Sequence, residues 1–249
     1  MSLIVSVVIP ALNEEALIVP TLQSVLSAIT RLPSDVAAEI IVADNGSTDR
    51  TREAIESTSI PVRIIDCHRP GAAAARNQGV HHSNGDLLFF LDADTTIPDH
   101  ALQQVVERSR QQLVSAGITK LGARHTGFRA HCWWLFWNSV RYLPLPYAKA
   151  MPAFMFCTRA AFEQFGPFNE AVAIGEEWPI LAGVYRACPR EFVYLRSIVA
   201  RTSSRRMELV RFGYARLFIK YVWAILDGRG RIHYPHTIRQ NATAIQELK

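Results

Sequence analysis

Two carboxylates set one residue apart, Asp92 and Asp94, close the run Gly85-Asp86-Leu87-Leu88-Phe89-Phe90-Leu91-Asp92-Ala93-Asp94. An apolar run this dense reads as a buried strand. Its acids then stand at the carboxyl end, where ligands collect in open α/β sheets. Residues i and i+2 of an extended chain point the same way, so both carboxylates can face one cation. Hard divalent ions such as Mn²⁺ or Mg²⁺ favour oxygen ligands, usually one or two carboxylates plus substrate phosphates. Taken alone, the same spacing also describes an Asp-rich turn from Asp94 to Asp99, with Pro98 opening a helix. Two other acidic points read locally as structural. Asp44 precedes Asn45-Gly46 and can cap the helix that follows. Glu176-Glu177 follow Gly175 and can sit at a helix start, stabilised by its dipole.

The elements that must hold these residues alternate. Leu3 to Ile9 is a β-branched run ended by Pro10 and reads as a first, central strand. A loop over Ala11 to Glu15 leads into a helix ending near Ile29, with Pro20 in its first turn. Glu39 to Asp44 is a second strand, and Asn45-Gly46 with Ser47, Thr48 and Asp49 forms a tight turn and helix cap. Val62 to Ile65 is a third strand, and Pro70-Gly71 opens an Ala-rich helix carrying Arg76, Asn77 and Gly79. Asp86 to Asp94 is the fourth strand. Such alternation predicts a mostly parallel central sheet flanked by helices, with right-handed crossovers. Further strands are expected near Ile118 to Gly122, Ala153 to Cys157 and Phe192 to Leu195, and a short helix over Arg159 to Phe165.

A chain of 249 residues, 49% hydrophobic and 20% charged, fits one folded α/β domain rather than a disordered segment. Its net charge of +5 conceals a division: residues 1–107 carry 6 basic and 14 acidic side chains, the remainder 21 basic and 8 acidic. From Arg108 to Phe162 there is no Asp or Glu. One half is thus suited to a metal and the other to an anionic partner. No nucleic-acid-binding motif accompanies the positive charge, so nucleic acid is not an expected partner. Cys67, Cys132, Cys157 and Cys188 match no metal or redox spacing and read as reduced thiols of a cytoplasmic protein. The amino terminus reads as a strand rather than a secretory signal. Arg141, Lys149 and Lys220 interrupt every apolar run that approaches membrane-spanning length.

Four motifs stand in a fixed order: Pro10-Ala11-Leu12-Asn13-Glu14, Asp44 to Thr51, Gly71 to Gly79, and Gly85-Asp86 to Asp92-Ala93-Asp94. Gly166-Pro167-Phe168-Asn169-Glu170 and Gly175-Glu176-Glu177-Trp178 follow. Together, over roughly residues 3–206, they closely resemble the inverting glycosyltransferases of family 2, which have the GT-A nucleotide-diphospho-sugar transferase fold. The resemblance implies a donor site in which Pro10, Asn13 and Glu14 lie along the base and ribose. It implies that Asp44 hydrogen-bonds the base or its ribose and that Arg76 stands near the base. Asp92 would approach the ribose or a metal-bound water, and Asp94 would hold the Mn²⁺ or Mg²⁺ ion bridging the donor diphosphate. Family members carry a catalytic base in the second position of an acidic pair, usually Glu-Asp. Here Glu177 occupies that place with one more methylene, and Glu176 takes a supporting role. Arg205 and Arg206, in the basic stretch Arg201 to Arg206, are candidates to neutralise the leaving diphosphate; solvated arginines at a helix start are the alternative.

The acceptor is expected over the second half. His131-Cys132-Trp133-Trp134-Leu135-Phe136-Trp137, with Arg124, Arg129 and Arg141 nearby, combines interface-favouring aromatics with phosphate-pairing arginines. A hydrophobic helix packed on the sheet is the equal alternative. Met207 to Leu226 reads as one long amphipathic helix with Met207, Val210, Tyr214, Phe218, Tyr221 and Ile225 on one side. It either packs on its own domain or lies in a membrane interface. His233 and His236, in the tail beyond it, could reach the metal.

The expected protein is therefore a single domain over 1–249, divided into a nucleotide-sugar-binding half (1–110), an acceptor-binding and catalytic half (111–206), and a carboxy-terminal amphipathic helix with tail (207–249). It would be a metal-dependent inverting glycosyltransferase using a UDP- or GDP-sugar and a sugar or lipid-linked acceptor. It would be cytoplasmic, with an anionic membrane surface on the inner face as a candidate partner. The alternatives are a catalytically silent nucleotide-sugar-binding subunit and a sugar-phosphate nucleotidyltransferase. The latter would need a Gly-rich loop after the first strand, and Pro10 to Glu15 contains no glycine.

Overall fold

The computed structural model describes residues 3–124, 127–149, 152–172, 174–208 and 212–227. The first half runs β1 (Leu3–Ala11), α1 (Ile18–Ile29), β2 (Val36–Asp44), α2 (Thr51–Glu56), β3 (Arg63–Asp66), α3 (Ala72–His81), β4 (Leu87–Leu91), β5 (Thr95–Thr96) and α4 (Ala101–Gln111). The second runs β6 (Ala116–Ala123), α5 (Phe128–Val140), β7 (Phe154–Thr158), α6 (Arg159–Phe165), α7 (Trp178–Ala187), β8 (Phe192–Thr202), α8 (Arg205–Glu208) and α9 (Gly213–Asp227). All eight strands form one sheet in the order β3-β2-β1-β4-β7-β6-β8-β5. Among them only β7 and β5 oppose the common direction, so six carboxyl ends share one edge.

Period-two alternation divides the core between the two faces of this sheet. Val5, Val7 and Ile9 of β1 join Leu87, Phe89 and Leu91 of β4 under α1, α4 and α5. Val8, Leu88 and Phe90 face the other way, under α3, α6 and α7. Because helices cover both faces, β4 is buried and apolar at every position from Leu87 to Leu91.

Several boundaries differ from those expected. Strand β1 is not ended by Pro10 but runs through it to Ala11, alongside β2. Strand β4 ends at Leu91, so Asp92 and Asp94 lie in the turn beyond it, closed by the Thr95 amide donating to the Asp92 carbonyl at 3.0 Å. Strand β8 continues to Thr202, which puts Arg201 in the ladder opposite Thr96 rather than in a loop. The single helix expected over 207–226 is divided, since Phe212 has φ of 61°, outside the helical region. Pro98 does not open a helix either; α4 starts at Ala101, whose amide donates to the Pro98 carbonyl. For Trp133, Trp134 and Trp137 core packing holds, at 7%, 7% and 3% exposure.

Candidate functional site

The shared edge of carboxyl ends gathers the acidic loops. Arg76 lies between two of them. Its Nη2 donates to Asp92 Oδ1 at 2.7 Å and its Nη1 to Glu176 Oε1 at 2.9 Å, bridging the turn after β4 and the loop before α7. Its guanidinium also lies 5.4 Å from the Phe168 ring centroid. Burial alone would lower the pKa of Arg76. Attraction to Asp92 and Glu176 outweighs that penalty and holds it above the ordinary arginine value. Gly79 makes the placement possible. A Cβ there would stand 2.3 Å from Val8 Cγ1, so only glycine lets α3 settle on β1 at this distance. Asn77, next to Arg76, pins the distant segment: its Nδ2 donates to the Phe168 carbonyl at 3.0 Å and its Oδ1 accepts from the Phe168 amide at 2.9 Å.

Asp94 faces the last strand. Its Oδ1 accepts from the hydroxyls of Thr202 and Thr95, each at 3.3 Å, and its carbonyl accepts from Arg124 Nη1 at 3.3 Å. Asp92 thus meets an arginine and Asp94 meets hydroxyls. Both are only partly buried. Among the described residues no group of three or more His, Cys, Asp or Glu side chains is positioned to hold a metal. A hard divalent ion nevertheless fits the donor set, since two adjacent carboxylates leave its other positions to diphosphate and water oxygens. His233 and His236 lie outside the described residues.

The expected donor loops interlock. Asn13 adopts φ of 55°, a left-handed conformation that asparagine tolerates, and its Oδ1 accepts from the Thr48 amide at 2.8 Å. Asp44 Oδ1 accepts from the Ser47 amide at 2.9 Å, and Arg52 Nε lies 3.8 Å from its other oxygen. Glu14 is 3% exposed; its amide donates to Thr51 Oγ1 at 2.7 Å and its carboxylate pairs with Arg205. Pro10 lies in β1 opposite Ala43. The side chain of Arg206 is outside the described residues.

Glu177 is 5% exposed and stands immediately before α7. The turn into it uses Gly175 at φ of 84°, where a Cβ would meet the Trp178 ring at 2.5 Å. Arg141, 1% exposed, is close enough for its charge to feel Glu177, and its Nη1 donates to Asn138 Oδ1 at 2.9 Å and to the Thr119 carbonyl at 3.2 Å. Burial lowers the pKa of Arg141. Lys149 is lowered as well, by burial and then by Arg141; its Nζ donates to the carbonyls of Arg141 and Leu143 at 2.5 and 2.9 Å. The sequence pointed to Arg141 only as an arginine of the acceptor region and gave Lys149 no place in the site. The signal lay in their position within a stretch free of acids, directly after the tryptophan-rich helix.

The arrangement therefore brings together Arg76, Asp92 and Glu176 by direct contact, and Glu14 with Arg205. It holds Asp94 on the β8 side of the turn and Glu177 beside a buried cation. A family model described as Glycosyl transferase family 2 matches residues 6–166. An undecaprenyl-phosphate 4-deoxy-4-formamido-L-arabinose transferase of Pseudomonas aeruginosa is 37% identical over 131 residues, covering 51% of this chain and 38% of the relative. A glucosyl-3-phosphoglycerate synthase of Mycobacterium tuberculosis is 35% identical over 102 residues, 38% of this chain and 30% of the relative. The matched segments thus span well under half of either relative's length. Among solved structures, the Mycobacterium tuberculosis synthase in complex with Mn²⁺, UDP and glucosyl-3-phosphoglycerate superposes with TM-score 0.62 at 21% identity, covering 92% of this chain and 81% of that one. S. aureus TarS 1-349 gives TM-score 0.62 at 15% identity, with 91% and 72% covered. At these identities the likeness is one of fold.

Proposed function

Because the chain belongs to glycosyl transferase family 2, we propose that it is a metal-dependent, inverting glycosyltransferase that moves a sugar from a nucleoside diphosphate sugar to an acceptor hydroxyl. The observation that carries this reading is the Arg76 bridge, which ties Asp92 of the D-x-D turn to Glu176 of the acidic pair. Two motifs that a donor and a base would need in one place are joined by two charged hydrogen bonds.

The donor lies along Pro10, Asn13, Glu14 and Asp44, with its diphosphate towards Asp92, Asp94 and Arg205. UDP is favoured over GDP because UDP stands in the complex of the structural neighbour. Asp94, with Asp92, holds the divalent ion, Mn²⁺ or Mg²⁺. When bound, the ion supplies positive charge against the negative charge that grows on the diphosphate. Arg205 pairs with Glu14, and its charge stands on the donor side to meet the diphosphate. The acceptor oxygen attacks the anomeric carbon from the face opposite the diphosphate. One carbon–oxygen bond forms as the bond to the diphosphate breaks, and Glu177 takes the hydroxyl proton. Glu176, held by Arg76, positions the loop. An acceptor sugar or lipid-linked acceptor occupies the basic half. The single domain comprises a donor half over 1–110, an acceptor and catalytic half over 111–206, and a carboxy-terminal part over 207–249. A cytoplasmic setting agrees with four free cysteines.

Glu177→Gln tests the base. It should keep donor affinity while lowering turnover by ~10² to 10⁴-fold, the worth of a positioned base. Near-normal turnover in this variant together with a dead Glu176→Gln would reverse the assignment. Proton NMR of the product tests inversion, and retention of anomeric configuration would refute a single displacement.

A further inference from the structure

Helix α5 carries large apolar side chains on both its buried and its exposed sides. Trp133, Trp134 and Trp137 fill the core, while Leu135 and Phe136 remain 59% and 45% exposed. Helix α9 lies alongside, with Trp133 on Tyr214 and Trp137 on Tyr221, both at 5.5 Å between ring centroids. Its outer side carries Ile219, Trp223 and Leu226 at 61%, 70% and 80% exposure, spaced i, i+4, i+7 on one stripe. Phe136 and Phe218, 5.4 Å apart, join the two exposed strips into one surface. An apolar area of this extent marks an interaction site.

Charge selects the occupant. Arg216 and Lys220 are exposed beside Ile219, and Arg129 is exposed on α5. The chain has no Asp or Glu over 108–162 or over 209–226; Glu208, before α9, is engaged by the Tyr214 hydroxyl at 3.4 Å. A second copy docking by this face would set basic against basic. Residues 228–249 carry four Lys or Arg against one Glu, again the wrong sign. An anionic bilayer satisfies both features at once: the aromatic and aliphatic side chains enter the interface and the cations meet lipid phosphates. Helix α9, about 22 Å long, is too short to cross a bilayer. No helix among the described residues is long and apolar enough to do so.

We propose that the α5–α9 face docks on an anionic phospholipid bilayer, with α9 lying in the plane of the interface. The inner side of α9 ties this surface to the site. Ala224, Tyr221 and Ile225 pack with Ile174, Trp178 and Tyr147, and Trp178 directly follows Glu177. A bilayer docked here lies beside the loop that carries the acidic pair. That consequence rests on the reading of Glu177 above; the docking itself does not.

The experiment uses the full chain without donor. Trp223 is the one exposed tryptophan, since Trp133, Trp134, Trp137 and Trp178 are all buried, so red-edge emission reports on it. With vesicles of phosphatidylcholine and phosphatidylglycerol at low salt, the protein should co-sediment. Emission should shift to the blue and be quenched by brominated phosphatidylcholine mixed into those vesicles. Pure phosphatidylcholine should bind at least tenfold more weakly. Ile219→Ser with Trp223→Ser should cut partitioning at least tenfold. Arg216→Glu with Lys220→Glu should cut it about 25-fold or more, at about fivefold per charge; both pairs are solvent-exposed and should melt with the wild type. Absence of binding to the anionic vesicles would overturn the proposal, as would binding that neither double variant weakens. A stable dimer in solution that shields Trp223 would overturn it too.

Discussion

Replacing Arg76 with methionine removes the charge that lies between Asp92 and Glu176. Deleting one partner of a buried ion pair costs about 3–5 kcal/mol, because the remaining charge stays buried without its counter-ion. The two arms differ. The Glu176 side chain is 17% exposed and its 2.9 Å contact counts at nearly full value, about 2–3 kcal/mol. The Asp92 side chain is 37% exposed, so water recovers most of what it loses and that arm counts for about 1 kcal/mol. The expected loss is about 3–4 kcal/mol out of a total that is typically about 5–15. At about 2–4 °C per kcal/mol for a chain of 249 residues, Tm falls by roughly 10 °C. The sign with pH follows from the raised pKa of Arg76. Its contribution is complete below the unfolded arginine value and is lost only as pH passes the still higher folded one. The difference should therefore show no slope from arginine titration between about pH 6 and 9. Thermal and urea unfolding followed by circular dichroism measure it. A double-mutant cycle with Glu176→Gln should give a coupling of about 1.5 kcal/mol or more. A variant melting within about 2 °C of wild type, or a coupling below about 0.5 kcal/mol, would refute the bridge as a structural tie.

Asp94→Ala should abolish Mn²⁺-dependent binding of UDP in calorimetry, and full turnover in excess EDTA would count against a metal at this turn. Lys149 has a folded pKa below its ordinary 10.5, so the unfolded chain binds more protons between the two values and stability rises with pH across that window. Relative to Lys149→Met, the wild type should gain stability as pH approaches 10.5 from below; a parallel pH course of the two proteins would show that burial does not strain this charge.

Much of this molecule was determined locally. The β-branched run from Leu3 and the buried run Leu87 to Leu91 encode their own conformation, because strand period depends on neighbouring residues. The expected tight turn at Asn45-Gly46 is instead an extended loop, with Asn45 tied to Ala11, Arg69 and Gly71. The order of motifs then carried the family. Boundaries shifted where tertiary pairing extends or ends an element: Thr96 draws Arg201 into the ladder, and Phe212 breaks the long helix that the apolar spacing described.

What meets at the sheet edge was decided by the fold. Arg76 and Glu176 are 100 residues apart, and Glu14 pairs with Arg205 from nearly the opposite end of the chain. Neither partner's local sequence names the other, since the contact exists only once crossovers bring separate carboxyl ends together. The burial of Arg141 was equally hidden, because a helix with large apolar residues on both sides does not say which of them faces the core. Packing against the sheet chose Trp133 and Trp137 for the interior, and that choice left Leu135, Phe136 and the outer stripe of α9 facing outward.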